Sequence, residues 1–500
     1  MGASASSGPR TQHSGKWWPL AAITLGNFLL LIDVTIVNTA LPRIADGLGA
    51  SFTAQQWVLD IYALALAALL MAAGSAADLF GRRRLYTAGL ALFALASLAC
   101  GLAPGADVLI AARAVQGIGA AAMFATNTPL LTAAYQGRDR GVAFGVWGGT
   151  SGAAAAIGPV LGGLLTEYLN WRAIFLVNLP LTGIAVYLTA RHIQESHGDR
   201  TARIDWPGAA AFTAAAGTLT YGLMRGGEHG WAETGTLVTL AGAAMALLAF
   251  LVVERRVRQP LLDLRLLRRP SFAVLMAAAL LLQAAAFPHL TFVGLWAQDV
   301  LGLNPVQAGL AVLPLALMSL LVGALGGRLL QRLAPQLPVG IGLLLVGAGG
   351  LLHTALLGDG AGWATLVPGL AVTGLGVGAA MPMLVSAALG AAPPQRAGMA
   401  SGAVNTFRQL GFALGITVLG TVFADALHTL APGAPPSAVR AAYVSGLTDI
   451  TLISGLVAAG AGTLVLTVVR RPERDAGDGD RAGVGAGAGA GAGASVGAGV

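Results

Sequence analysis

A chain of 500 residues with 56% hydrophobic and only 10% charged residues cannot be solvated by water alone, since soluble chains carry about a quarter charged residues. Its net charge of +7 sits in short gaps between apolar runs, a pattern that addresses anionic lipid headgroups and argues against nucleic acid as a partner. A single cysteine, Cys100, excludes a disulfide framework and a cysteine-based metal site.

In chain order, residues 1–17 form a polar, disordered tail that runs through the one lysine, Lys16, to an aromatic anchor at Trp17 and Trp18. Apolar runs of roughly 18–25 residues, the length that a ~30 Å hydrocarbon core demands, follow one another. They fall near 18–41, 54–74, 85–103, 107–130, 141–164, 172–191, 206–224, 234–254, 271–297, 306–327, 338–356, 363–386, 398–425 and 446–469. The first run is of full spanning length, so no cleavable signal is expected. Fourteen spans put both termini on one side. The arginines test this count. Alternate loops hold Arg82 to Arg84, Arg138 and Arg140, Arg191 to Arg203, Arg255 to Arg269, Arg328 and Arg332, Arg396, and Arg470 to Arg474. The opposite loops hold only Arg43, Arg172, Arg225 and Arg440. Positive charge stays inside, so both termini are expected in the cytoplasm.

The longest polar interruptions, Arg191–Arg203 and Glu254–Arg269, flank one helix pair. The expected plan is an all-α polytopic membrane protein with two six-helix bundles, at 18–191 and 271–470. An inserted pair with an amphipathic linker lies between them at 192–270, and an Ala/Gly-rich disordered tail closes the chain at 471–500.

Ionisable residues within lipid mark function, because a carboxylate in a span costs ~2.5–3.5 kcal/mol on insertion scales. Asp33 in the first span, Asp60 in the second and Arg113 in the fourth lie eight, six and six residues below the same face. At ~1.5 Å per residue all three reach a level roughly 9–12 Å in. A carboxylate and an arginine that approach and separate could load and unload a proton. The loop between spans two and three, Gly74 to Arg84, holds Asp78, Gly81, Arg82 and Arg83. Arginines alone would serve as topology signals; the acid and both glycines read as a charge latch with close helix approach. In the fifth span Gly158 and Pro159 open a G-P-x-x-G-G run that kinks the helix and admits a close neighbour. In the second half, Leu321–Arg328 occupies the place of the latch with glycine for its aspartate, and Gln283 and His289 fall on the ninth span. A lone histidine within lipid could contact substrate or proton, but for His289 a hydrogen-bonded helix contact is the expectation.

Several strings carry a resemblance. Gly74–Arg84 is similar to the G-x-x-x-D-x-x-G-R-[RK]-[RK] loop of the major facilitator superfamily, and Leu30–Pro42 resembles the L-D-x-T-I-V-N-x-A-L-P stretch of its fourteen-span drug–proton antiporters. Arg113–Gly119 is similar to R-x-x-Q-G-x-G, Gly158–Gly163 to the antiporter signature, and Trp171–Pro180 to W-R-x-I-F-x-x-N-x-P. Gly402–Gly411 again resembles the fourteen-span group. The resemblance implies proton-coupled export of a small amphipathic drug or antibiotic, with Asp33, Asp60 and Arg113 exchanging the proton. It implies gating by Gly74, Asp78, Gly81, Arg82, Arg83, Gly158 and Pro159, with the Asp78 loop steadying the outward-facing state against the second half. A central cavity would be lined by Asn38, Tyr62, Gln116, Asn127, Trp147 and Asn405. Arg408 joins them, either as a cytoplasm-side gate or as a snorkelling cation. No cofactor or metal is expected. The alternatives are a transporter of an ordinary metabolite such as a siderophore, sugar or amino acid, and a membrane enzyme. The second would need a catalytic acid or base outside the bilayer, where only Asp46, Glu167, Glu228 and Glu233 are on offer. No G-x-x-x-x-G-K-[ST] loop for ATP occurs.

Overall fold

The computed structural model describes residues 16–469 apart from 198–204, 258–259, 261, 331–332, 335, 359, 393–396 and 429–433. Of the tails expected at 1–17 and 471–500, residues 1–15 and 471–500 lie outside the described residues, as do the side chains of 324–329 in the counterpart of the latch. Among the described residues, fourteen long helical rods carry the fold. They are α1 (Trp18–Leu48), α2 (Phe52–Phe80), α3 (Arg82–Gly101), α4 (Ala106–Ala134), α5 (Gly137–Tyr168), α6 (Ala173–His192), α7 (Trp206–His229) and α8 (Thr234–Arg256). There follow α9 (Pro270–Val300), α10 (Pro305–Leu330), α11 (Gln336–Leu356), α12 (Trp363–Ala391), α13 (Ala397–His428) and α14 (Pro436–Val468). An even number of rods returns the chain to the side from which it set out.

Local chemistry sets the boundaries. Gly49 ends α1 in the left-handed region at φ 60°, and the Ser51 hydroxyl accepts from the Ala54 amide to start α2. Asp205 and Glu233 cap α7 and α8 in the same way. Inside α9, Pro288 has no N–H to continue the ladder, so the rod breaks at Phe287 and resumes at His289. Among the described residues, twelve rods are long and apolar enough by themselves to cross a bilayer; α5 and α7 are not among them. The composition of α7 follows its neighbours. It is rich in Ala, Gly and Thr because it packs against protein, with Gly227 against Thr421 of α13 and Ala209 against Ala72 of α2. Its partner α8 shows Leu237, Val238, Met245 and Leu248 to lipid instead.

The two halves repeat one packing plan. In the first, α1 packs on α5 and α6, α4 on α2 and α3, and α3 on α6. In the second, α9 packs on α13 and α14, α12 on α10 and α11, and α11 on α14. Adding eight to each label of the first set gives the second. The seams between the halves, α5 on α10 and α2 on α13, exchange under the same rule. Such internal repeats place sites at or near the repeat interface in secondary transporters.

Candidate functional site

The first half encloses a polar knot drawn from five helices. Asp33 Oδ2 on α1 meets the Arg113 guanidinium of α4 at 2.5 Å, with both side chains at or below 1% exposure. Its Oδ1 accepts from Gln116 at 2.8 Å and from Asn178 of α6 at 2.9 Å. Arg113 also donates to the Val58 carbonyl of α2 at 3.0 Å and to Gln116 Oε1 at 2.7 Å, and its guanidinium lies 4.2 Å from the Tyr62 ring centre. Gln116 donates in turn to the Ser97 hydroxyl of α3 at 2.9 Å. Desolvating two charges is repaid only when geometry and extra hydrogen bonds are good, and here both ions have several partners.

Asp33, Arg113, Gln116 and Tyr62 therefore come together. Asp60 does not. It lies two residues from Tyr62, about 200° around the helix, and turns to the opposite seam, where its Oδ2 accepts from Thr417 of α13 at 2.8 Å. Its Oδ1 is buried without a hydrogen-bond partner among the described residues. Gln56, one turn away, donates to the Ile416 carbonyl of α13 at 3.4 Å.

The remaining polar residues are dispersed. Asn38 accepts from Thr291 of α9 at 2.9 Å, and Gln298 donates to the Thr39 carbonyl at 3.1 Å, so α1 and α9 are tied on the side away from the termini. Arg408 lies about 16 Å into α13 and donates to Asn405 at 3.2 Å and to Gln283 of α9 at 3.5 Å. That depth and those partners do not fit a snorkelling cation. Asn127 is buried on α4 with neither amide atom hydrogen-bonded among the described residues. Trp147 is half-buried on α5.

The glycine run of α5 works on two faces. A side chain at Gly158 would strike Thr35, and one at Gly162 would meet the Ile36 backbone, both on α1. On the other face, Gly163 abuts the backbone of Pro305 and Val306, while Gly309 of α10 abuts the Pro159 carbonyl. Close approach to its own half and to the other half is thus built from one short string.

In the Gly74–Arg84 loop, Arg82 donates twice to Asp78 Oδ1, at 2.9 and 3.2 Å. The surprise is Glu195, beyond α6. Its carboxylate accepts from the Arg83 and Arg84 amides at 2.9 and 3.1 Å, capping α3, and the Arg82 amide bonds to the Ser196 carbonyl. Gly81 sits at φ +104°, and a side chain there would run into the Glu195 carboxylate. Gly74 differs from the close approach expected of it: among the described residues, no atom outside its own stretch of helix lies within 4 Å of where its Cβ would be.

Sequence reasoning gave no role to Ser97, Asn178 or Glu195. Asn178 sits inside the Trp171–Pro180 string, which now has a physical basis: Trp171 fills the space beside Gly47, Arg172 stacks on Trp171 at 4.3 Å and bonds to the Ala103 carbonyl, and Asn178 reaches Asp33.

The sequence matches the profile of the Major Facilitator Superfamily over residues 23–416. It is 37% identical over 415 residues to the multidrug resistance protein Stp of Mycobacterium tuberculosis (strain CDC 1551 / Oshkosh), covering 83% of this chain and 77% of that one. It is 36% identical over 465 residues to the puromycin resistance protein pur8 of Streptomyces alboniger, covering 91% and 90%. The cephamycin export protein CmcT of Amycolatopsis lactamdurans is 36% identical over 424 residues, covering 84% and 87%. A crystal structure of a POT family transporter in complex with a thioalcohol-conjugated peptide superposes with a TM-score of 0.66 at 15% identity, covering 89% of this chain and 95% of that one. At that identity the fold is what the two share.

Proposed function

The chain belongs to the Major Facilitator Superfamily, and from that premise we propose that it exports small amphipathic drugs or antibiotics in exchange for protons, by alternating access. The observation that carries this reading is the sealed Asp33–Arg113 pair, held in a bundle whose relatives are named for drug resistance and export. An acid locked to a movable cation has two ways to stay neutral in a low dielectric, the arginine or a proton. Withdrawal of Arg113 invites the proton, and its return expels it. Asp60, at the α2–α13 seam, is a second proton carrier that senses whether the halves are in contact.

The arginine-bearing ends and both termini are assigned to the cytoplasm, and the membrane to the inner cell membrane. The side closed by Asn38–Thr291, Gln298–Thr39 and Gly163–Pro305 is then extracellular, and the conformation faces inward. In this state Asp78 is spent on Arg82, so the latch is released from the second half. Substrate enters among Asn38, Asn127, Trp147, Asn405 and Arg408, while Tyr62 and Gln116 become available when the ion pair opens. Each inward proton contributes ~2.3 kcal/mol per 100 mV, enough for roughly a fortyfold gradient.

Inverted vesicles with an imposed pH gradient test this with a panel of dyes and antibiotics. Proton release on adding one compound is expected, and it disappears in Asp33→Asn with the folded yield unchanged. An unchanged signal in Asp33→Asn, or transport indifferent to uncouplers in reconstituted protein, defeats the reading.

A further inference from the structure

The second half buries polar groups of two kinds. His289 Nδ1 lies 3.1 Å from the Ala285 carbonyl one turn back in α9, the helix contact expected of it, and Ser454 of α14 lines a crevice with His289. His353 Nε2 of α11 lies 2.9 Å from the Leu366 carbonyl, and the two ring centres are 6.0 Å apart. Imidazoles and hydroxyls can stay neutral in such a place. Arg408 of α13 is of the other kind, because a guanidinium keeps its charge in any protein setting.

Arg408 stands about 16 Å into its rod, where a charge is costly unless water or an anion answers it. Its hydrogen bonds go to neutral amides, Asn405 at 3.2 Å and Gln283 of α9 at 3.5 Å, which use two of the five N–H groups of a guanidinium. Among the described residues no carboxylate pairs with it. Asp33 is spent on Arg113, and Asp60 of α2 accepts from Thr417, about 13 Å further along α13. Asp299 accepts from Tyr443 near the end of α9, Asp449 of α14 is exposed, and α12 carries no Asp or Glu.

The side chain is turned inward. At ~100° per residue, one stripe of α13 meets α2 through Gly402, Thr406 and Thr417, and another meets α9 through Gly411 and Gly415. Asn405 and Arg408 fall between these stripes, away from the exposed Val418. Phe412, one turn beyond Arg408, belongs to the apolar cluster that contains Ile32 and Ile36 of α1. Arg408, Asn405 and Gln283 are all half-buried, unlike the sealed Asp33–Arg113 pair.

We propose that Arg408, steadied by Gln283 and Asn405, is the counter-ion of the cargo, and that the exporter takes compounds with a carboxylate or a like anionic group on an apolar body. This rests on the exporter reading and names its substrate class. A guanidinium fork matches two oxygens of one carboxylate. A cationic drug meets a like charge instead, and finds Asp33 and Asp60 already engaged. One proton moving in and one monoanion moving out carry two positive charges inward, so a membrane potential negative inside acts on both legs of the exchange.

The test measures equilibrium binding to the full chain in lipid nanodiscs at neutral pH. The probes are naphthaleneacetate, pyrenebutyrate and dansylglycinate, each beside its own primary amide. At least one acid should bind wild type about tenfold or more tighter than its amide, as a charge-assisted pair contributes. The preference should vanish in Arg408→Gln, while Arg408→Lys should keep its direction at a smaller ratio; unfolding midpoints confirm that both variants are folded. Equal affinity of acid and amide throughout the set, no binding of any acid, or a preference that survives Arg408→Gln would each overturn the proposal. Binding needs no proton gradient, so the two readings separate. An Arg408-dependent preference without proton movement counts against the exporter reading alone, and proton release on adding dyes without any preference counts against this proposal alone.

Discussion

The two halves hide polar clusters on equivalent helices, yet in one an ion pair has both carboxylate oxygens and its guanidinium hydrogen-bonded, while the other is neutral and leaves its acceptors unmatched among the described residues. Asp33 and Arg113 have hydrogen-bond partners on α1, α2, α4 and α6, whereas His289, His353 and Ser454 each leave an atom unmatched among the described residues. The energetics explain the difference. An uncompensated charge in the interior costs several kcal/mol, so the first cluster must be complete in any state in which it is closed. A neutral imidazole lone pair costs about 1–3 kcal/mol, a deficit that the fold tolerates. The charged cluster therefore resists opening, as a lock does, whereas the neutral one carries only a small deficit.

Substitutions sharpen that contrast, beginning with the largest effect. Asp33→Ala strands Arg113 in the interior and should lower stability by about 3–5 kcal/mol, read from unfolding in detergent; adding Arg113→Met should recover much of the loss but no transport. If the single variant costs no more than a surface change, the lock is not closed in the resting protein. The loops come next. Gly81→Ala forces a side chain into φ +104° and onto Glu195, and should cost about 1–3 kcal/mol. Gly74→Ala, in open space within α2, should instead stabilise by up to about 1 kcal/mol. Equal effects at the two glycines would refute the assignment of the turn to Gly81. In the neutral cluster, Ser454→Ala removes a hydroxyl without a partner, so the midpoint should move by less than about 0.5 kcal/mol.

The smallest effect concerns pH. The Arg225 hydrogen bond, followed by the Thr236 amide, holds the Glu233 carboxyl at about 2, below its ordinary value. A lowered acid stabilises the fold above its unfolded value and loses that contribution as pH falls toward the folded one. Amide protection at the start of α8 should therefore fade between about pH 4 and pH 2, and Glu233→Gln should remove that dependence.

Much of the charged cluster was legible in the sequence, because ionisable residues in lipid are costly and depth can be counted along a helix. Counting residues gives depth but not direction, and so Asp60 was grouped with Asp33 although it faces α13. Ser97 and Asn178 are neutral and carry no such signal. Glu195 is one acid in a polar connection, and its use depends on where the end of α6 meets the start of α3. His289 looked solitary because His353 is 64 residues away on a helix that only the folded bundle brings alongside. Twelve of the rods stand out by apolar length among the described residues, while α5 and α7, richer in small residues, carry a weaker signal. The repeat relating α1–α6 to α9–α14 rests on packing, which apolar length does not encode.

The placement of α7 has a consequence for how cargo could arrive from the bilayer. It leans on both α2 and α13 and so roofs one of the two seams, while among the described residues neither α7 nor α8 covers the α5–α10 seam. A compound dissolved in the leaflet meets a shuttered doorway on one flank and an unshuttered one on the other, and lateral entry becomes one-sided in a molecule whose halves are otherwise mates.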